Sequence, residues 1–295
     1  MLLFAGYLLV APPMFVFGPL VGLLLLSRPA TLREWVWVAA ATSWSLLWLS
    51  EAGGLSGQFV RAAAVLVSGS YLALTVWRPS NQLSRCLAAT AGAGIALGGW
   101  MIGLGVRWTE LRQSIQLDLA EIDRLARAQW SGMSGATEAL ADLAGMADTL
   151  SMLYPGLLAL VAIAGLRLAW SWYHRLAVHP LGAPPAPFRT FGFNDQLVWG
   201  WVAAVALALA PVPEPWRLAG ANLILVLGVL YAARGLAVVL TQAGGVAGPV
   251  AAVLGFIAIF LLPFVVGGLT LLGLADTWLD FRRRLATPST GGFDR

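Results

Sequence analysis

Two aspartates near the C-terminal end of the chain have the spacing closest to a catalytic arrangement. Asp276 and Asp280 are four residues apart, so a helix would place both carboxylates on one face, where one could act as an acid and the other as a base. No histidine, nucleophile or further acid accompanies them, and Arg283 and Arg284 follow closely. We therefore interpret Asp276, Asp280, Arg283 and Arg284 as ion pairs at a helix end.

The residues required by common catalytic motifs are missing from the sequence. All 18 basic residues are Arg, so the Lys of a phosphate-binding loop GxxxxGK[ST] is absent. Neither an HExxH nor a GxSxG motif occurs, and Cys86 is the only cysteine. His174 and His179 have no carboxylate between them, and Glu51 and Asp195 are too distant along the chain to complete a site with them. We expect no enzyme activity, no cofactor and no bound metal.

A few polar residues interrupt the apolar runs and are candidates for ligand binding. Asn222 and Arg234 lie within the apolar stretch 218–240, and an arginine at membrane depth is costly unless it faces protein, reaches the interface or contacts a polar ligand. A second possibility is that the helix ends near Ala233, which would make Arg234 a boundary cation. The predicted polar pocket is lined by Asn222, Arg234, Gln242, Asn194 and Gln196.

These side chains must be positioned by membrane helices, because apolar residues dominate the chain. The hydrophobic fraction is 59%, the mean hydropathy is +0.79, and only 11% of residues are charged, against about 25% in soluble domains. The sequence predicts an all-α, polytopic transmembrane helical bundle of about eight spans in contact with the lipid bilayer. The predicted spans are 2–26, 35–49, 59–77, 83–106, 154–173, 197–210, 218–240 and 246–274.

The arginines lie between the apolar runs and mark the ends of spans. The net charge of +4 is explained by these loop arginines, so we expect no nucleic-acid partner. With eight spans, Arg61, Arg217 and the triplet 282–284 fall on one face of the membrane and most other loop arginines on the opposite face. The two counts are close, which leaves the orientation of the termini open. The predicted domains are a four-span half at 1–106, an insert at 107–150, a second four-span half at 151–281 and a polar tail at 282–295.

The insert between spans four and five is the largest predicted segment outside the membrane, and half of the 14 acidic residues lie in it. Apolar residues recur in it at helical spacing, and a Gly- and Ser-rich break at 131–135 divides it. Asp123 and Arg127 form a favourable i,i+4 pair. We predict an amphipathic helical hairpin, which serves either as a lid or partner-docking element or as a solvated loop.

The fourth predicted span contains four glycines in two small-xxx-small pairs, Gly94 with Gly98 and Gly99 with Gly103. This spacing lets a neighbouring helix approach the backbone closely. We therefore predict tight helix packing at this span.

Five segments of the C-terminal half resemble the YybS-like group of bacterial membrane proteins: residues 187–191, 197–199, 222–223, 234–239 and 273–282. The resemblance implies a distant similarity to the substrate-binding S components of energy-coupling-factor transporters. It implies a compact helical bundle in the bacterial inner membrane that binds a small molecule, has no ATPase of its own and associates with membrane or ATPase subunits. The alternative hypothesis is a non-catalytic scaffold that docks a partner through the helices of 107–150.

Overall fold

A computed structural model describes residues 7, 11–51, 53–77, 81–130, 136–242, 256–257 and 260–279. These residues form nine α-helices and one short 3-10 helix, with no β-strand among them, so the predicted all-α class is confirmed. Contacts divide the chain into two compact units, residues 1–185 (unit 1) and 186–295 (unit 2). The predicted boundary at 150/151 falls inside a continuous helix, and the predicted domain division stays a prediction.

The described part of unit 1 contains six helices, and the first of them is apolar and lies in its core. They are α1 (Met14–Leu26), α2 (Leu32–Ser50), α3 (Leu55–Trp77), α4 (Gln82–Gly103), α5 (Trp108–Trp130) and α6 (Ala136–Leu176). The first follows Pro12 and Pro13, and its contacts with α2, α3 and α6 bury Phe15, Val16 and Leu20 completely. This central position explains its uniformly apolar sequence.

The start of α2 is fixed by a capping box that also reaches the end of α6. The Thr31 hydroxyl accepts a hydrogen bond from the backbone N–H of Glu34, and the Glu34 carboxylate accepts bonds from the backbone N–H groups of Ala30 and Thr31. The other Glu34 carboxylate oxygen accepts the Val178 N–H at 2.9 Å. One buried carboxylate thereby joins two parts of unit 1 that are distant along the chain.

The predicted helical hairpin is present as α5 and the first part of α6. The guanidinium of Arg112 contacts the carboxylate of Asp148 at 2.5 Å, and the predicted pair of Asp123 and Arg127 is confirmed at 2.7 Å. The predicted start of the fifth span at Tyr154 is wrong, because α6 continues through Pro155. The proline removes one backbone hydrogen bond, but the turns before it are anchored to α5.

Unit 2 contains a 3-10 helix (Phe188–Thr190) and three helices, α7 (Leu197–Leu209), α8 (Glu214–Gln242) and α9 (Leu262–Leu279). The long α8 packs against both of the others. A Cβ atom added at Gly220 would lie 2.8 Å from the carbonyl oxygen of Ala204 in α7. At the other contact, added Cβ atoms at Gly235 and Gly273 would collide with backbone of the facing helix. Small residues therefore set both helix separations.

Five helical segments in the described part of the chain are long and apolar enough to cross a membrane: Leu55–Trp77, Gln82–Gly103, Gly145–Leu176, Glu214–Gln242 and Leu262–Leu279. Two shorter apolar helices, α1 and α7, have 13 residues each. The predicted count of about eight spans is not confirmed. Large apolar side chains on these helices, including Phe264 and Leu271, are exposed, as expected for residues that face lipid.

The prediction of close packing at the glycines of α4 is wrong for the part of the chain that the structure describes. No atom of a neighbouring element lies within 4 Å of a Cβ placed at Gly94, Gly98, Gly99 or Gly103. The space beside these glycines is open because no neighbouring helix packs against them.

Candidate functional site

Arg234 lies inside α8, eight residues before the helix ends at Gln242, and only 6% of it is exposed. The alternative that the helix ends near Ala233 is therefore wrong. The Arg234 Nε donates a hydrogen bond to Asp276 Oδ2 at 2.9 Å, and Nη2 donates to the Asp276 carbonyl oxygen at 3.3 Å. Nη1 donates to Asp195 Oδ1 at 2.8 Å. One guanidinium thus connects α8, α9 and the segment that precedes α7.

The two carboxylates around Arg234 differ in burial. The Asp276 side chain is completely buried, whereas 63% of the Asp195 side chain is exposed. The Phe193 ring lies 5.4 Å from the guanidinium carbon and covers another side of it. Asp276 therefore supplies most of the charge compensation, since an exposed ion pair contributes little.

The close contact between α8 and α9 brings the charged groups together. Gly235 directly follows Arg234, and Gly273 precedes Asp276 by three residues, about one helical turn. Each glycine has its backbone against the partner helix. A side chain at either position would separate the helices and lengthen the distance between Arg234 and Asp276. The glycines and the ion pair form one structural unit.

The other predicted ligand-binding residues do not converge on Arg234. The Asn222 amide donates to the Leu218 carbonyl within its own helix at 2.8 Å, and Gln242 is exposed at the end of α8. Twelve residues separate Asn222 from Arg234, which corresponds to about 18 Å along a helix. Asn194 and Gln196 are exposed, and the Gln196 backbone N–H donates a hydrogen bond to Asn194 Oδ1 at 3.0 Å. Ligand binding by these five residues stays a prediction.

Of the four residues in the predicted helix-end ion pairs, the structure describes only Asp276. Asp276 pairs with Arg234 in α8, a partner that the sequence analysis did not assign to it. Asp280, Arg283 and Arg284 lie outside the described residues. The sequence does contain a signal for this pair: Arg234 and Asp276 occur in two separate apolar stretches, and opposite charges within membrane segments tend to pair.

Unit 1 contains a cavity of about 240 Å³ between α1, α3, α4 and α6, with Trp108 of α5 at its edge. Its lining is almost entirely apolar, and Gly94 and Gly98 form part of the α4 wall. The volume is somewhat below the roughly 300–1,000 Å³ of sites for drug-sized ligands, so the cavity fits a slender apolar group. The lining residues are Phe15, Phe59, Ala63, Val67, Thr90, Ala93, Gly94, Leu97, Gly98, Met101, Trp108, Pro155, Leu158, Ala159 and Ala162.

Two polar atoms among the lining residues have no hydrogen-bond partner. The Thr90 hydroxyl and the Trp108 indole N–H are both buried and unpaired. Unpaired buried donors are uncommon in proteins, and a bound water or ion is one of the explanations for them. Within the described ranges, no three His, Cys, Asp or Glu side chains cluster in a way that could hold a metal ion.

Several long apolar helices with lipid-type surfaces, joined by tight glycine contacts, define an all-α multipass membrane protein. A family model described as predicted membrane protein (DUF2232) matches residues 1–277, and the chain belongs to this family. No curated protein matches the chain, and neither does any solved structure.

Proposed function

We propose that this protein is a non-enzymatic membrane subunit that binds a small molecule with an apolar tail, and that this tail occupies the cavity of unit 1. The observation that supports the proposal is the cavity itself, an apolar space that α4 leaves open at Gly94 and Gly98. The unpaired donors of Thr90 and Trp108 favour a ligand that also carries a hydrogen-bond acceptor.

The wider proposal includes about eight membrane spans, a relationship to the YybS-like group and a transporter-type role in the bacterial inner membrane. Under it, separate membrane or ATPase subunits supply energy. The match of the family model over residues 1–277 is compatible with this proposal, since it describes only a membrane protein.

The experiment compares two adjacent glycines of α4. Gly98 lines the cavity, whereas Gly99 does not and has open space around its Cβ position. Binding of a dansyl-labelled undecanoic acid to the purified protein is measured by fluorescence titration. If Leu at position 98 displaces about two methylenes, worth ~0.8 kcal/mol each, the Gly98→Leu variant should bind roughly tenfold more weakly.

The Gly99→Leu variant is the matched control and should keep the wild-type affinity within about twofold, because its side chain points away from the cavity lining. Equal affinities of both variants, whether reduced or unchanged, would count against the cavity as the binding site.

A scaffold role is supported by a different feature. Three large apolar side chains in the second part of α5 are exposed: Leu117, Ile122 and Leu125. By contrast, Leu111 and Ile115 at the start of the same helix are buried within unit 1. Exposed apolar residues grouped on one helix are typical of a partner-docking surface. Under this alternative a protein partner covers the second half of α5, and the Gly98→Leu variant retains that partner.

A further inference from the structure

A second buried arginine, in unit 1, has a very different environment from Arg234. Arg85 lies in the first turn of α4 and is only 7% exposed. Its guanidinium carbon lies 4.5 Å from the centre of the Trp170 ring, and its Nε has no hydrogen-bond partner. None of the ion pairs found among the described residues includes Arg85. The aromatic contact offsets only part of the cost of burying this charge.

Two residues near Arg85 in sequence or space, Tyr71 and Gln82, carry buried hydrogen-bond donors without partners. Tyr71 of α3 is completely buried and its hydroxyl is unpaired, and the Arg85 guanidinium carbon lies 5.9 Å from its ring centre. The amide nitrogen of Gln82, one helical turn before Arg85, is also buried and unpaired. The guanidinium lies beside the phenol ring, and Gln82 precedes Arg85 by three residues on the same helix face. Donors of these types are complementary to an oxygen-rich anion.

The backbone adds to this preference. The helix dipole places partial positive charge at the start of α4, and the Asn81 side chain makes no capping hydrogen bond there. A cation in the first turn is electrostatically unfavourable with the dipole unless an anion compensates both. Helix N-termini with nearby arginines bind phosphate and carboxylate groups for this reason.

We propose that Arg85, Tyr71 and Gln82 form a binding site for an oxyanion, either a phosphate-type lipid headgroup or a free small anion. The site is formed where the last turns of α3 and the first turn of α4 meet the Trp170 side chain of α6. The ends of membrane helices lie near the depth of lipid phosphates. This inference does not depend on the cavity, because none of the three residues lines it.

The test uses the purified full chain and two probes. Native mass spectrometry measures binding of phosphatidylglycerol against phosphatidylcholine, and calorimetry measures binding of inorganic phosphate in phosphatidylcholine nanodiscs. We expect one of the two anionic probes to bind to the wild type more tightly than phosphatidylcholine. The Arg85→Gln variant should weaken this binding at least about tenfold, since a charge-assisted hydrogen bond is lost. Arg85→Lys, which keeps the charge, should lose less.

Arg61→Gln is the matched control. Arg61 is a partly buried arginine of the same unit that lies over the Trp48 ring at 5.8 Å and whose Nε is likewise unpaired. It precedes Tyr71 by ten residues on α3, about 15 Å along the helix, so this variant removes the same charge and a similar aromatic contact outside the proposed site. It should bind like the wild type. Equal weakening by Arg61→Gln and Arg85→Gln would show a general charge effect and overturn the proposal, as would a wild type that binds neither anion selectively.

The two anion sources give different results. Selective binding of phosphatidylglycerol without binding of inorganic phosphate identifies a lipid headgroup, and binding of inorganic phosphate identifies a free anion. If Arg85→Gln does not fold, the proposal is tested with Arg85→Lys and Tyr71→Phe. Tyr71→Phe removes a single hydroxyl from a residue that remains packed. Wild-type affinity in both of these variants would refute the site.

Discussion

Replacing Asp276 with Asn removes the negative charge next to Arg234 while the volume of the side chain stays nearly unchanged. Both members of the pair are buried, with the Asp276 side chain completely so. Removal of one partner from a buried ion pair costs about 3–5 kcal/mol, because the other charge stays buried without compensation. We therefore expect Asp276→Asn to lower the free energy of unfolding of unit 2 by about that amount.

The matched control is Asp195→Asn, which removes the second carboxylate from the same guanidinium. The Asp195 side chain is 63% exposed, and an exposed pair contributes roughly 0–1 kcal/mol. The two isosteric substitutions should therefore differ by at least about 2 kcal/mol, although the two N–O distances, 2.9 Å and 2.8 Å, are nearly equal. Burial, and not distance, determines the difference.

The assay is equilibrium unfolding in mixed detergent micelles with increasing dodecyl sulfate, followed by the far-ultraviolet helix signal. A double variant, Arg234→Met with Asp276→Leu, removes both buried charges together. It should recover most of the lost stability, because apolar residues of similar volume often replace a buried pair without cost. Equal losses for the two Asn variants, or a double variant as unstable as Asp276→Asn, would refute this account of unit 2.

Two further predictions concern packing and pH. Gly273→Ala should destabilise the protein by about 1–3 kcal/mol, because the new methyl group collides with the Tyr231 carbonyl; Gly268→Ala of the same helix, with open space around its Cβ position, should have almost no effect in the same unfolding assay. The second concerns Glu34, whose pKa the Val178 N–H lowers to about 2, with help from Thr31 and Ala30. Stability from this group is complete above its ordinary pKa of about 4.5 and is lost as pH falls towards 2. The difference in melting temperature between wild type and Glu34→Gln should therefore shrink from pH 6 to pH 3, and a constant difference would contradict the assignment.

Hydropathy predicted the positions of most helices well because it depends on local composition. The predicted spans 59–77 and 83–106 correspond to α3 and α4 within a few residues. The proline of α6 was misinterpreted because a local rule places Pro155 at a helix start, whereas packing against α5 keeps the helix continuous. Local rules cannot include a stabilising contact from another helix.

The glycines show a second limit of sequence reasoning. The spacing of Gly94 and Gly98 correctly indicates a helix face without side chains, but such a face can accept a neighbouring helix or leave a space. Gly235 and Gly273 contact the partner backbone, whereas Gly94 and Gly98 line the cavity. The outcome depends on the positions of the other helices, and the sequence of one helix contains no information about them.

The two buried arginines illustrate how partners distinguish a structural charge from a binding charge. Hydropathy marks Arg234 as unusual, yet its guanidinium bonds to Asp276 and Asp195, so most of its donor capacity is used within unit 2. Arg85 stands close to a helix start, where arginine is unremarkable in sequence, yet it is equally buried and its Nε is unpaired. Burial alone therefore does not indicate function. Because Arg85 combines deep burial and an unpaired Nε with the neighbouring unpaired hydroxyl of Tyr71, it is a stronger candidate for anion binding than Arg234.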